Sequence, residues 1–168
     1  SIDMWRQIPA VAAELDADPQ IRVVIMRGAG DAAFVAGADI SQFQESRRED
    51  NVSDYDRDND RAYKALSNIG KPVIAMIHGY CIGGGVALAL SADMRYAADD
   101  ARLGIPAARL GLGYGMGGIE VLAQLCGFSN AKEIFFTAKR YSAAEALSMG
   151  LLNGVFAKDR LQAEVMTI

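Results

Sequence analysis

Three consecutive glycines, set between a short β-branched run and an apolar helix, constrain this chain more than any other feature. Val73-Ile74-Ala75-Met76-Ile77 has the length and residue types of a buried strand. It leads through His78-Gly79-Tyr80-Cys81-Ile82-Gly83-Gly84-Gly85 into Val86-Ala87-Leu88-Ala89-Leu90, which reads as a helix packed on most of its surface. Glycines at a helix start leave backbone N–H groups with no side chain in the way. The first-turn amides of a helix are unpaired and lie at the positive end of its dipole. Such a place suits an anion or a developing oxyanion. The same glycines could instead serve only the close packing of helix on strand.

The rest of the chain reads as further strands and helices in alternation. Ile2, Trp5, Ile8, Val11, Ala12 and Leu15 recur at helical spacing, with Pro9 expected to kink that helix or mark its true start, and Asp18-Pro19 to stop it. Ile21 to Arg27 is a second β-branched run, closed by Gly28-Ala29-Gly30. Gln42 to Asp60 turns polar and charged, which predicts a solvated loop and also permits a mobile lid. Tyr63, Leu66 and Ile69 return to helical spacing. Met94 to Ala97 predicts a short strand, a Gly-rich stretch runs from Gly104 to Gly118, and two or three helices follow from Ile119 to Met149. Gly150 is the expected C-cap and Val155-Phe156 a closing strand. Helix and strand in repeated alternation argue for an α/β or layered fold, and no linker divides the 168 residues.

Composition excludes several classes. Net charge is −4, from 17 basic and 21 acidic residues, and the basic ones are scattered rather than gathered into a nucleic-acid patch. No apolar run approaches the roughly 20 residues that span a bilayer. A basic stretch followed by an apolar one is missing at the amino terminus, so a signal peptide is not indicated. Cys81 and Cys126 are the only cysteines and lie in apolar or Gly-rich surroundings, which predicts free buried thiols in a reducing compartment. One histidine and two isolated cysteines offer no metal-ligand spacing, so no metal is expected.

A second small-residue turn, Phe34-Val35-Ala36-Gly37-Ala38-Asp39-Ile40, leads to a further expected helix. With Gly79-Tyr80-Cys81-Ile82-Gly83-Gly84-Gly85 some 40 to 50 residues on, it resembles the paired turns of the enoyl-CoA hydratase/isomerase (crotonase) family. The resemblance extends to Lys71-Pro72-Val73-Ile74-Ala75, to Ala92-Asp93-Met94-Arg95-Tyr96-Ala97, and to Phe136-Thr137 through Gly150-Leu151-Leu152-Asn153. It implies an α/β crotonase-like fold, a superhelix of stacked ββα turns. Residues 1–168 would form a single core domain of that fold, beginning near the family's first helix and stopping before its carboxy-terminal helices.

The resemblance also implies roles. The backbone N–H groups of Ala38 and Gly84 form the oxyanion hole for a thioester carbonyl, and Ala36, Ala38 and Ile40 line the pocket for CoA. Asp39, Gly83, Pro106 and Ala107 join them around the substrate, with Asp39 also expected to cap the helix that begins at Ile40. Enolisation or conjugate addition puts negative charge on the thioester oxygen, and a preorganised donor there is worth about 3 kcal/mol. Here the sequence departs from the family at two places. The family's two glutamates fall at Ala87 and Ala107, so the usual carboxylate chemistry of water activation and proton transfer at the α-carbon has no side chain to run on. Tyr114 falls on a loop that carries an aspartate in other members; it is read either as a proton or hydrogen-bond donor or as a pocket-lining side chain. Glu120 and Arg109 are nearby polar candidates. His78 is expected to serve packing or a turn hydrogen bond, and Trp5 the core.

Hydration of a 2-enoyl-CoA is the implied reaction, in fatty-acid or related acyl-CoA metabolism. The alternatives are another acyl-CoA reaction or a catalytically silent acyl-CoA-binding protein. CoA would enter as part of the substrate with no separate cofactor, the assembly would be a homotrimer or hexamer, and the setting cytoplasmic, with no nucleic-acid or membrane partner. Two rivals from other classes are weaker. Gly79-Tyr80-Cys81-Ile82-Gly83 has the outline of a nucleophile elbow, but the only histidine precedes it, where that arrangement needs a later one. The glycine spacing also differs from the dinucleotide-binding G-x-G-x-x-G.

Overall fold

The computed structural model describes residues 2–37, 52–111, 113 and 116–168. The chain runs α1 (Ile2–Ala17), β1 (Val24–Arg27), β2 (Ala33–Val35), α2 (Val52–Ser67), β3 (Val73–Ile77), β4 (Tyr80–Ile82), α3 (Gly84–Leu90), β5 (Met94–Ala98) and β6 (Arg102–Gly104). It continues through α4 (Ala107–Leu110), α5 (Met116–Thr137), β7 (Arg140–Ser142), α6 (Ala143–Ser148), β8 (Gly154–Phe156) and α7 (Leu161–Val165). One sheet has the order β1-β3-β5-β8 and is parallel throughout; the other has the order β2-β4-β6-β7, parallel except for the β6–β7 pair. The first three passes of the chain, β1–β2, β3–β4 and β5–β6, therefore each lay one strand in the first sheet, turn a corner and lay the next in the second. β3–β4–α3 is the plainest of these stacked ββα units, the arrangement the sequence led us to expect.

The apolar run at β3 explains why the stack holds together. All five of its residues are buried, because a parallel strand covered on both faces must be apolar throughout. Successive side chains point to opposite faces. Val73, Ala75 and Ile77 join the main core with Leu103, Leu122 and Leu151, while Ile74 and Met76 join a second cluster with Leu161 and Val165 of α7. The Ala92–Ala97 segment, part of the resemblance, has a structural task. Buried Arg95 donates from its guanidinium to the carbonyls of Ala92 and Leu151, at 2.6 and 2.9 Å. Its neighbour Asp93 accepts the Val73 N–H at 2.7 Å, and Asn153 Oδ1 accepts the Arg95 N–H at 2.8 Å. These contacts tie β5 to β3 and to the approach of β8.

Three expectations are corrected. Pro9 neither starts nor ends α1, which runs continuously from Ile2 to Ala17. Residues 52–60, read as part of a loop or lid, belong to α2; residues 42–51 lie outside the described residues. The helix forms because Tyr55, Asp58, Asn59, Ala62, Tyr63 and Leu66 recur at helical spacing and turn inward, leaving the remaining charges to solvent. Two of those inward positions are polar, and Asp58 pairs with Arg6 of α1 at 2.8 Å, so the apolar stripe is interrupted in the sequence. Within the glycine-rich stretch of 104–118, Ala107–Leu110 is helical and Gly104 closes β6. Gly150, with φ +84°, does follow the C-cap of α6, and Gly127, with φ +77°, breaks α5 into two helical halves.

Candidate active site

Three adjacent parallel strands, β2, β4 and β6, carry the sequence-predicted turns to one edge of one sheet. Val35 is in register with Cys81, and Ile82 with Gly104, so residues 36–37, 83–84 and 105–107 leave the sheet side by side at its carboxyl edge. In open parallel sheets ligands bind outside that edge. The turn after β4 is shaped by its glycines. Gly83 takes φ +58°, ψ −115°, a conformation that favours glycine, and donates its N–H to the Gly104 carbonyl at 2.8 Å. Gly85 must lack a side chain, since a Cβ there would stand 2.6 Å from the Val35 carbonyl oxygen. That close approach seats α3 on β2. Gly37, with φ +115°, runs beside the Ile82 carbonyl, its Cβ position 3.8 Å away.

Between these two constrained glycines, Gly84 is the first residue of α3, and its N–H meets no acceptor among the described residues. Close packing thus accounts for Gly85, while Gly84 is left with a free donor, so the two readings of the triple glycine apply to different members of it. On α3 the partly exposed residues Gly84, Ala87 and Leu88 follow the i, i+3, i+4 spacing of one helical face, and Gly85, Val86 and Ala89 are buried. Position 87 therefore shares the face of the Gly84 amide. Pro106 caps α4, and Ala107 is its buried first residue. Positions 87 and 107, where the resemblance leads one to expect glutamates, both carry alanine methyl groups. Ala36 is exposed at the end of β2. Ala38, Asp39, Ile40 and Tyr114 lie outside the described residues.

The remaining candidates stand elsewhere. Cys81 is fully buried on β4, and desolvation pushes its thiol far above the ordinary range. A nucleophilic cysteine needs an accessible thiolate, so the elbow reading fails on burial as well as on the place of the histidine. Cys126 is also free and buried, its thiol raised by desolvation. His78 is buried at the opposite end of β4 from Gly83; among the described residues its Nε2 has no hydrogen-bond partner, while its carbonyl accepts the Phe34 N–H at 2.8 Å. Arg109 and Glu120 are exposed, and Glu120 accepts from Gln124 at 3.4 Å. Among the described residues no three His, Cys, Asp or Glu side chains gather as a metal cage requires, and no helix is long and apolar enough to cross a membrane.

Two residues at this edge, Trp5 and Tyr63, were given no place there by the sequence. A Cβ built on Gly84 would lie 3.3 Å from Trp5 Cζ2 and 3.6 Å from Tyr63 Oη. Trp5, expected in the core, is only half-buried and meets Tyr63 edge-on, with ring centroids 5.3 Å apart. The only sequence signal was their placement on helical faces; their meeting at Gly84 follows from how α1 docks on α2.

The fold and the glycine-shaped edge define a class, and the comparisons agree with it. Residues 3–168 match the family model described as enoyl-CoA hydratase/isomerase, and the chain belongs to that family. It is 38% identical over 153 residues to the short-chain-enoyl-CoA hydratase of Clostridium acetobutylicum, covering 91% of this chain and 58% of that protein. It is 34% identical to the peroxisomal Delta(3,5)-Delta(2,4)-dienoyl-CoA isomerase of Arabidopsis thaliana, over all of this chain and 64% of that one. Among solved structures, the enoyl-CoA hydratase of Bacillus anthracis superposes with a TM-score of 0.94 at 32% identity, covering 99% of this chain and 64% of that one. An enoyl-CoA hydratase/carnithine racemase from Magnetospirillum magneticum gives a TM-score of 0.95 at 33% identity, with 99% and 63% covered. The fold is thus of the crotonase type, and the chain spans less than two thirds of the length of each of these relatives.

Proposed function

We propose that this chain is the thioester-binding core of an acyl-CoA enzyme that holds the thioester oxygen between the N–H groups of Ala38 and Gly84 and stabilises an enolate there. The observation that carries the reading is the convergence of β2, β4 and β6 on one edge where the Gly84 amide meets no acceptor among the described residues. A thioester carbonyl set against that amide gains negative charge as the α-carbon is deprotonated or as water adds to the β-carbon. A fixed amide needs no reorganisation to meet that charge. Ala36, Asp39 and Ile40 on one side, and Gly83, Pro106 and Ala107 on the other, border the substrate. Ala36, Ala38 and Ile40 serve the pantetheine and adenine portions of CoA, and Tyr114 serves either as a proton or hydrogen-bond donor or as a pocket-lining side chain. The CoA moiety belongs to the substrate, and the chemistry calls for no separate cofactor.

The reaction is hydration of a 2-enoyl-CoA, supported by membership of the family and by the relatives named as hydratases. The protein works as a homotrimer or a hexamer in the cytoplasm, in fatty-acid or related acyl-CoA metabolism, with neither nucleic acid nor membrane as a partner. A second reading, binding or another acyl-CoA reaction without hydration, is favoured by one observation: Ala87 shares the face of Gly84 and Ala107 begins α4, and neither offers a carboxylate. Crotonyl-CoA separates the two. Steady loss of the conjugated thioester absorbance, with a product heavier by one water, supports hydration. Tight binding with no loss of absorbance overturns hydration and leaves the second reading. Absence of any acyl-CoA binding overturns both.

A further inference from the structure

Trp5 stands at the end of α3 from which the Gly84 amide looks out. A Cβ built on Gly84 would lie 3.3 Å from Trp5 Cζ2 and 3.7 Å from Trp5 Cη2. The benzo edge of the indole therefore comes within about 5 Å of the Gly84 Cα, one carbon–carbon bond further on. Cα–Cβ bonds of a helix tilt toward its amino end, and the first-turn N–H groups point out of that same end. The indole edge and an oxygen accepting the Gly84 N–H are thus neighbours there. Gly85, the next residue, points elsewhere: its Cβ would meet the Val35 carbonyl oxygen of β2 at 2.6 Å. Successive residues of a helix point about 100° apart, so α3 turns one side to β2 and another to Trp5. Trp5 is half-buried, which leaves part of its surface open to a ligand. Its ring is steadied edge-on by Tyr63, at 5.3 Å and 77°. Arg6, next along α1, pairs with Asp58 of α2 at 2.8 Å and fastens the helix pair that carries both rings.

Resting on the reading that a thioester sits at Gly84, we propose that Trp5 determines specificity: its indole edge walls the acyl side of the thioester and leaves no room for a branch at the α-carbon. The thioester carbon carries two groups, the sulfur of CoA and the α-carbon of the acyl chain. Residues 36–40 follow β2, so CoA served by Ala36, Ala38 and Ile40 leaves the carbonyl on that side of α3. The α-carbon is then left to the side of Trp5. A flat apolar edge packs well against an unbranched α-carbon. An α-methyl would overlap ring carbons that the contact with Tyr63 holds in place, and a packed wall yields little to one added carbon. The class so selected is the thioesters of straight-chain acids. This selection acts on binding, and it applies whether or not hydration follows.

Butyryl-CoA and isobutyryl-CoA contain the same atoms and differ only in branching at the α-carbon. Their affinities for the full-length protein, read by calorimetric titration, therefore report on the wall. The wild type should prefer butyryl-CoA about tenfold or more, the worth of one methyl group in a close-fitting apolar site. Trp5→Ala should bring that preference to about twofold or less, by tightening isobutyryl-CoA relative to butyryl-CoA. Trp5→Phe keeps an aromatic ring against Tyr63 and should fall between the two; it serves alone if Trp5→Ala folds poorly. A wild type that binds both ligands equally overturns the role of Trp5. So does a folded variant that weakens both by the same factor, as loss of structural packing alone would. In either case, butyryl-CoA still bound more tightly than S-butyl-CoA, which lacks the carbonyl, leaves the Gly84 site standing. Equal wild-type affinity for butyryl-CoA and S-butyl-CoA overturns the Gly84 reading and the role of Trp5 with it.

Discussion

At its amino end β4 meets a corner crowded with charge, and at its carboxyl end it runs into bare backbone. The corner is held by side chains. Lys158 Nζ lies 2.6 Å from Asp100 Oδ2 and donates to the Asp31 carbonyl at 3.2 Å, while Asp100 Oδ1 accepts the Gly79 N–H at 3.3 Å. These contacts join the corners of three successive passes of the chain. At the far end, three residues away, the turn is fixed by Gly83 and Gly85, and the Gly84 amide meets no acceptor among the described residues. A corner has only to hold layers in register, and opposite charges do that. A site that must meet a transient charge does better with donors that cannot move, and the backbone provides them.

Glycine substitutions sharpen this contrast most strongly. Gly79→Ala places a Cβ 2.1 Å from the Ala32 carbonyl oxygen in a residue with φ +55°. Overpacking against backbone adds to the left-handed strain, and the loss of stability should be about 3 kcal/mol or more, read from denaturant unfolding. Gly85→Ala meets the Val35 carbonyl oxygen at 2.6 Å, and part of that clash is offset by better helix propensity, so about 1–2 kcal/mol is expected. Gly84→Ala should differ from both. Its nearest neighbour is the edge of the Trp5 ring at 3.3 Å, so stability should stay within about 1 kcal/mol. Its new methyl crowds the space beside the amide, and affinity for butyryl-CoA should fall about tenfold or more. If Gly84→Ala and Gly85→Ala lost stability equally, the division of labour between them would be wrong.

Smaller effects test the corner. Burial works to raise the Asp100 carboxyl, but the hydrogen bond from Lys158, the Gly79 N–H and the nearby positive charges outweigh it and hold the group below the ordinary carboxylate range. A depressed carboxylate stabilises the fold above its unfolded pKa and loses that contribution as pH falls through the lower, folded value. Asp100→Asn should therefore lower the melting temperature by no more than about 2 °C at neutral pH, as for an exposed ion pair. The difference between the two proteins should vanish in acid, below the ordinary carboxylate range. The smallest expected effect is none: both thiols should escape a thiol reagent until the protein unfolds, since Cys81 is 0% and Cys126 7% exposed. Rapid labelling of Cys81 in the folded protein would reopen the elbow reading.

How much of this was legible depends on whether a feature is local. β3 and α3 could be read because a continuous apolar run and a triple glycine say the same thing in any context. β4, β6 and β7 could not, being three residues each and strands only by virtue of their neighbours. The helical part of the charged stretch, residues 52–60, was missed because Asp58 and Asn59 fill positions where an apolar stripe would have shown it. Gly84 was found through the glycine pattern together with the family resemblance. Tyr63 was missed because its contact with Gly84 is set by the docking of two helices that touch this turn from elsewhere in the chain.

The central claim is that the thioester oxygen itself is what the Gly84 edge holds. Calorimetric titration of the full-length protein with butyryl-CoA and with S-butyl-CoA, which keeps the CoA and the alkyl chain but lacks the carbonyl, tests it without needing turnover. Butyryl-CoA should bind at least about tenfold more tightly, the worth of hydrogen bonds made to a preorganised site. Equal affinities would mean that the edge recognises CoA and alkyl chain alone, and would contradict the claim.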